Sequence, residues 1–299
     1  MARLIEELIG EQLGDFLANL MERPELAAQL PEPENPFVDF EKHYKSAGLV
    51  RARRGNLTVS AFGGSDWYLD GKKAEFYNRM GSGLSTNPTM FKAWNGKAIL
   101  EAVRMSANFF SMGHFRSNGV NVSDSGSIQL GSEIEVPYYL PMPSERRDEN
   151  GTYKLSRSVD GRFYAMADFE NRPASMRRLK TEVEITPTKA GYDLNFQVTG
   201  EDDVELTFEI TFREGGKFKG VDEFVDSDNT TIYRLAEGMG EYTMGDDKIT
   251  FGPGNGMGVI QNDAGEQYSW HGGNLTLAGS HVYITGITPL NYTLNLGFA

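Results

Sequence analysis

The segment NFFSMGHFRSNGV brings several polar side chains close together among phenylalanines. His114, Arg116 and Asn118 alternate with Phe115 and Ser117. On an extended chain alternate side chains point the same way, so the three polar groups would share one face. Imidazole, guanidinium and amide groups can hydrogen-bond sugar hydroxyls and carboxylates. The spacing predicts a sugar-binding face, and a corner packed by the phenylalanines is the alternative reading.

Two of these residues could also take part in chemistry. A lyase or epimerase needs a base and a group that neutralises the sugar carboxylate. His114 and Arg116 fit those roles and are weak catalytic candidates, and the sequence identifies no other catalytic residue. None of the four histidines belongs to a metal-binding spacing, so we expect no metal and no cofactor. They are His43, His114, His271 and His281.

A second set of residues suits sugar contact by residue type. Aromatic rings can lie against the C–H faces of a sugar, while amide and imidazole groups bind its hydroxyls. Packing in the core is the alternative for the large rings. The predicted ligand-binding set is Trp67, His114, Arg116, Asn118, Trp270, His271 and Asn274.

Composition narrows the classes of partner. The chain has 29 Lys and Arg against 42 Asp and Glu, a net charge of −13, which disfavours nucleic acid. It has no cysteine, which excludes disulfides, zinc–thiolate sites and thiol nucleophiles. We expect no membrane partner, since no apolar run is long enough to span a bilayer. Acidic residues interrupt the N-terminus, so no signal peptide is expected and the default location is cytoplasmic.

The first part of the chain has a helical pattern. Apolar residues recur every three or four positions over 3–29, with a break at Pro24 and a stiff proline-rich stretch at 31–36. The sequence therefore predicts a helical segment and linker at 1–36, and a β-sandwich domain at 37–299.

The rest of the chain has the two-residue period of strands. Apolar residues alternate with polar ones over 179–185, 192–198 and 204–212, and the turn at 187–191 predicts a hairpin. Such alternation indicates an antiparallel sheet with one buried and one solvated face. Only 97–104 is interpreted as a short helix. The expected fold is mainly β, a large antiparallel β-sandwich of the supersandwich kind with an N-terminal amphipathic helix.

Several stretches resemble the β region of bacterial heparinase II/III-like proteins. They are AGLVRARRG at 47–55, the strand at 59–64, GSGLS at 81–85, NFFS at 108–111, ITFGPG at 249–254 and VYITGITP at 282–289. The resemblance spans about residues 45–299. It implies a β-sandwich of the kind that follows an α/α toroid in polysaccharide lyases, with helix 3–29 as the last helical piece or a cap. The catalytic toroid positions and the histidine-rich zinc segment have no counterpart in this chain.

Three functions remain open from the sequence. The first is a carbohydrate-associated sandwich, the accessory or C-terminal portion of a lyase-like protein that binds a polysaccharide or oligosaccharide, including uronic-acid types. The second is a self-sufficient enzyme, a uronate lyase or sugar epimerase that uses a His/Arg sheet face. The third is a structural or oligomerisation module. Expected protein partners are a helical toroid domain or a second copy of the chain.

Overall fold

The computed structural model describes residues 10–25, 39–63, 88–110, 114–161, 163–225, 231–257 and 278–299. Contacts divide the chain into two compact units, 1–38 and 39–299. In the first unit, helix α1 spans Gly10–Glu22. It ends just before Pro24, which has no backbone N–H to continue the helical hydrogen bonds. The remainder of the predicted helix at 3–29 lies mostly outside the described residues.

The second unit is mainly β, as the sequence predicted. Its strands are β1 Phe40–Tyr44, β2 Leu49–Arg54, β3 Leu57–Phe62, β4 Phe91–Asn95, β5 Ala98–Ala107, β6 Val120–Val122, β7 Ile128–Tyr139, β8 Leu155–Arg157, β9 Tyr164–Met166, β10 Ala174–Pro187, β11 Gly191–Gly200, β12 Glu205–Phe212, β13 Lys217–Lys219, β14 Asp222–Val225, β15 Thr231–Arg234, β16 Gly240–Met244, β17 Asp247–Gly252, β18 Ser280–Ile287 and β19 Leu290–Phe298. One-turn 3-10 helices lie at Lys45–Ala47 and Ser144–Arg146.

The long strands form two large sheets. The nine-stranded sheet has the order β1-β2-β3-β4-β5-β12-β18-β15-β14, and the eight-stranded sheet has the order β13-β16-β17-β19-β11-β10-β7-β6. Among the described strands, β15 and β18 form the one parallel pair. Strands β8 and β9 form a separate two-stranded sheet. The chain is therefore a large, predominantly antiparallel β-sandwich.

Aromatic side chains from the two sheets meet in the core. Phe208 of β12 contacts Phe196 of β11 edge-on, with ring centroids 4.8 Å apart. Phe212 stacks on Tyr242 of β16 at 4.7 Å, and Phe91 of β4 lies 5.3 Å from Tyr192. Buried aromatic pairs contribute about 0.5–1.5 kcal/mol each beyond the area they remove from water. These contacts hold the two sheets face to face.

The hairpin predicted around residues 187–191 is confirmed. Strands β10 and β11 pair from Leu179 opposite Gly200 to Pro187 opposite Tyr192. Within this pair Leu179, Val183 and Ile185 are buried, and the glutamates between them are exposed. The alternation was informative here because this sheet has one core face and one solvated face.

Residues 97–104, interpreted as a short helix, are instead the end of a turn at Lys97 followed by strand β5 from Ala98. This strand pairs with β4 on one side and β12 on the other. Nine of its ten residues are buried, so side chains on both faces lack water contact. A strand buried on both faces loses its apolar–polar alternation, and a short apolar run cannot then be distinguished from helix by periodicity.

The solvated face expected for residues 204–212 is also wrong. Thr207 and Thr211 point away from the core, yet they are 2% and 0% exposed. Their neighbours Glu205 and Glu209 are half-buried. The central strands of the nine-stranded sheet are thus covered on the side that faces away from the other sheet, and polar groups are buried there.

Candidate functional site

The side of the nine-stranded sheet that faces away from the core is called the outer face here. Cross-strand register places Arg51, Ser60 and Lys92 in one row of this face, on β2, β3 and β4. Arg53 and Trp94 lie in the next row. Residues directly opposite in antiparallel strands point to the same side, so these groups form one surface.

Cations gather around Trp94 on this surface. The guanidinium of Arg51 lies 5.6 Å from the centroid of the ring, and Nζ of Lys92 lies 4.9 Å from it. The negative face of an indole ring attracts cations at such distances. Arg51, Arg53, Lys92 and Trp94 are named the cationic patch, and all four are half-buried. A concentration of positive charge stands out on a chain with a net charge of −13.

The Arg51 guanidinium of the cationic patch has an unsatisfied donor within the described part of the chain. Nε of Arg51 is buried and has no hydrogen-bond acceptor there. A buried donor without an acceptor costs about 1–3 kcal/mol. An anionic group that draws the guanidinium toward it would remove this cost, because the planar fork of arginine matches a carboxylate.

Glu101 closes the patch on the β5 side. Its carboxylate accepts hydrogen bonds from Nζ of Lys92 at 2.7 Å and from Nε of Arg213 at 2.7 Å. Burial acts to raise the pKa of Glu101, but the hydrogen bonds and charges of Lys92 and Arg213 outweigh it and leave the pKa below its usual value. Glu101 sits where β5 shifts register against β12, which turns an extra side chain toward the cations.

A second group of polar side chains lies further along the outer face, on β5, β12 and β18. Arg104, Glu209, Thr211 and His281 are named the polar cluster. Nη1 of Arg104 lies 3.7 Å from Oε1 of Glu209, and Nε donates to Oγ1 of Thr89 at 3.4 Å. The Arg104 side chain is 4% exposed, so its charge depends on these partners rather than on water.

The contacts of Thr211 fix the proton positions in the polar cluster. Oγ1 of Thr211 lies 3.3 Å from Oε1 of Glu209 and 3.1 Å from Nδ1 of His281. A carboxylate can only accept, so the single hydroxyl proton goes to Glu209 and Oγ1 accepts from Nδ1–H of the imidazole. The neutral His281 ring is then the Nδ1–H tautomer, and its Nε2 atom is an acceptor.

The predicted polar corner also reaches the outer face. His114 forms an isolated antiparallel bridge with Ser106 of β5, whose side chain lies on that face beside Thr207. His114, Arg116 and Asn118 are half-buried, whereas Phe115 and Ser117 are buried. Burial therefore alternates along 114–118, and the bridge to Ser106 places His114 on the outer face.

The same corner connects the two sheets. The amide of Phe115 donates to the carbonyl of Met105 in β5 at 2.7 Å, and that of Asn118 donates to Gly131 in β7 at 2.8 Å. Oγ of Ser117 accepts from the amide of Gly131 at 2.9 Å. Phe109 and Phe115 belong to the core. The corner is thus packed through Phe109 and Phe115, as the alternative interpretation expected, and its polar side chains are half-buried.

The remaining predicted ligand contacts cannot be placed. Trp67, Trp270, His271 and Asn274 lie outside the described residues. Sugar contact by His114, Arg116 and Asn118, and catalysis by His114 or Arg116, stay predictions.

Sequence reasoning missed both the cationic patch and the polar cluster. The LVRARR segment of β2 showed its arginines as a basic run, and their alternation with Val50 and Ala52 placed two of them on one face. That alternation was a usable signal for the patch. The polar cluster had none, because Arg104, Glu209 and His281 are far apart in sequence and meet only through strand order.

The described residues bear on two further site classes. Within them, no group of three or more His, Asp or Glu side chains could hold a metal ion. No helix within the same residues is long and apolar enough to span a bilayer.

Comparison of the chain with protein-family models, curated proteins and solved structures found no match. The assignment of a function to this sandwich therefore depends on the geometry of its outer face.

Proposed function

We propose that the sandwich is a carbohydrate-binding domain, the accessory or C-terminal portion of a protein similar to heparinase II/III-like lyases. The ligand is a polysaccharide or oligosaccharide that carries carboxylates, as uronic acids do. The cationic patch is the observation that carries this proposal. Arg51 and Lys92 lie against Trp94 at half-buried positions of the outer face, which suits a ligand with negative charges.

The placement of the polar corner supports the same surface. His114 lies beside Ser106 on the outer face, which also carries Lys92 and Trp94. A chain-like ligand can contact several points along a sheet, so a patch and a corner on one face are compatible with one glycan. Neutral hydroxyls would bind at His114, Arg116 and Asn118, and carboxylates at the cationic patch.

Binding of uronate oligosaccharides by charge-removal variants tests the proposal. We expect Arg51→Gln and Lys92→Gln each to weaken binding about tenfold, since a hydrogen bond to a charged group contributes about 1.5–3 kcal/mol and 1.4 kcal/mol is tenfold. Isothermal titration calorimetry at low and high salt gives the affinities. Binding by the unmodified protein should also weaken with salt, because the patch is partly solvated.

Matched controls come from the opposite sheet. Arg178 and Lys180 lie on β10, where they pair with Glu135 and Glu182. Arg178→Gln and Lys180→Gln remove the same charges as the test variants and should leave affinity unchanged. If uronate oligosaccharides do not bind the unmodified protein, or if all four variants weaken binding equally, the patch is not the site.

The polar cluster favours a second candidate, proton removal from a bound uronate. The Nδ1–H tautomer leaves Nε2 of His281 as a base, oriented through Thr211 by Glu209, and Arg104 is a nearby cation. Elimination and epimerisation both begin by taking the proton next to the carboxylate. Binding ranks first because His281 is only 8% exposed.

Incubation with uronate oligosaccharides in D₂O tests this chemistry. Elimination gives an absorbing unsaturated uronate, and epimerisation exchanges the sugar proton for deuterium, which NMR detects. We expect either signal to be lost in His281→Gln and retained in His43→Gln, on edge strand β1. The absence of both signals with the unmodified protein would eliminate the enzymatic candidate while leaving the binding proposal intact.

A further inference from the structure

The exposed apolar side chains of the sandwich are concentrated in one part of the chain. Strands β7 and β10 pair as far as Tyr139 opposite Ala174, and residues 140–173 leave the sheet between them. This segment is named the excursion. Half of the sixteen exposed large hydrophobic side chains in the described residues lie in or next to it. They are Tyr138, Leu140, Leu155, Val159, Phe163, Tyr164, Met166 and Met176.

The excursion is held in place by its own contacts. Phe169 is buried and lies 4.7 Å from the ring of Tyr139 in β7, and its amide donates to Oγ of Ser156 at 2.7 Å. The amide of Val159 donates to the hydroxyl of Tyr139 at 3.0 Å. Anchoring at both points means that the β8–β9 hairpin presents a defined surface rather than a loose loop.

Three of the four side chains on the solvent side of this hairpin are apolar, and the fourth is Arg157. Leu155 of β8 pairs with Met166 of β9, and Arg157 pairs with Tyr164, so these four side chains share a face. Leu155, Tyr164 and Met166 are 50%, 69% and 55% exposed. Large exposed apolar groups that lie together on one surface mark an interaction site.

Strand β9 is also an edge strand that has no charged residue or proline to block pairing with another chain. All three of its residues are exposed, and among the described strands it pairs with β8 alone. Natural proteins place charges or proline on free edges to block pairing with other chains. The edge strands β1, β13 and β14 carry lysines or acids, whereas β6 (Val-Asn-Val) and β9 (Tyr-Ala-Met) carry no charge, and all three residues of β9 are exposed.

The distribution of charge along the chain favours a second copy of the chain as the partner that binds at β9. The excursion contains six basic and six acidic residues, so the whole net charge of −13 lies on the rest of the chain. Two copies with that charge repel over most of their surfaces and least where the excursions meet. Antiparallel pairing of β9 with itself about Ala165 places Tyr164 opposite Met166 of the second copy, a favourable sulfur–aromatic contact.

We propose that the protein forms a two-fold symmetric dimer through β9, which joins two β8–β9 hairpins into one four-stranded sheet. This interface is independent of the outer face and of what that face binds. The small Ala165 side chain at the two-fold axis allows the two backbones to approach.

The cysteine-free sequence gives a direct test. Cysteines opposite each other in an antiparallel pair lie within the Cα separation that a disulfide needs. Under mild oxidation, Ala165→Cys should give a covalently linked species of twice the 33.2 kDa chain mass on a non-reducing gel. Ala190→Cys, an exposed alanine in the turn between β10 and β11, should remain mostly monomeric. Equal linking of both variants, or none at Ala165→Cys, would overturn the proposal.

Light scattering after size exclusion gives the second measurement. The unmodified protein should have twice the chain mass, and Tyr164→Asp should have the mass of one chain because it places two charges in the apolar interface. Val225→Asp on β14, also an exposed apolar residue, should keep the dimer. Far-UV circular dichroism verifies that each variant is folded. A monomeric unmodified protein, or one whose mass is unchanged by Tyr164→Asp, would contradict a β9 interface.

Discussion

At the scale of single residues, Glu101 shows how the cations of the outer face are held. Lys92 and Arg213 each approach a different oxygen of its carboxylate at 2.7 Å. Charge removal at Lys92 therefore also changes the environment of Glu101. Because Lys92 is shared between the carboxylate and the ring of Trp94, the patch is a coupled network rather than a set of independent charges.

The lowered pKa of Glu101 predicts a dependence of stability on pH. In the folded protein the carboxylate stays charged to a lower pH than in the unfolded chain, where the pKa of a glutamate is near 4.5. Below that value the unfolded chain takes up the proton first, so the stabilisation present at neutral pH is lost as pH falls through the folded pKa. As the pH falls from 7 to acid values, the free energy of unfolding of Glu101→Gln should therefore decrease less than that of the unmodified protein.

Urea unfolding at neutral and acid pH measures this difference. Glu182→Gln is the control, since Glu182 is an exposed carboxylate paired with Lys180 on the other sheet. It should change the pH dependence much less, because solvent screens an exposed pair. The explanation fails if Glu101→Gln and the unmodified protein lose the same free energy of unfolding.

At the scale of secondary-structure elements, the central strands of the nine-stranded sheet are buried on both faces. Strand β12 has six of its eight residues buried, and β18 also has six of eight. Their inner side chains form the core with the other sheet, and their outer side chains include the polar cluster. The hairpin at 187–191 was predictable because β10 has a solvated side, whereas β5 was taken for helix because it has none.

Hydrogen exchange should follow this difference in burial. We expect the amides of β12 and β18 to exchange slowest, because their opening requires the two sheets to separate. The amides of β14, whose four residues are all exposed, should exchange among the fastest of the strands. Mass spectrometry of peptides across 205–212, 222–225 and 280–287 measures this order. Fast exchange in β12 would show that the outer side of the sheet is not covered in solution.

At the scale of the whole molecule, two surfaces of the sandwich differ in charge. The outer face carries the cationic patch on a chain with a net charge of −13, whereas the excursion has no net charge and exposes several large apolar side chains. The first suits an anionic ligand and the second suits a second copy of the chain. A dimer joined through β9 would present two cationic patches, and a repetitive glycan could then bind both and gain in avidity.

The sequence by itself determined the class of fold and much of the strand pattern. Two-residue alternation identified β10, β11 and β12, and turn residues located the hairpin between the first two. The alternation of His114, Arg116 and Asn118 with Phe115 and Ser117 was also visible, because the order of residue types is a local property of the sequence. The absence of cysteine excluded thiolate chemistry without any structure.

Tertiary structure decided which of these residues are neighbours. Arg104, Glu209 and His281 meet because β12 lies between β5 and β18, an order that no local pattern encodes. The sequence pattern predicted that the polar positions of β12 face solvent, yet Thr207 and Thr211 are buried. Local periodicity reports which side chains share a face, whereas strand order and the covering of each face depend on pairings between distant segments.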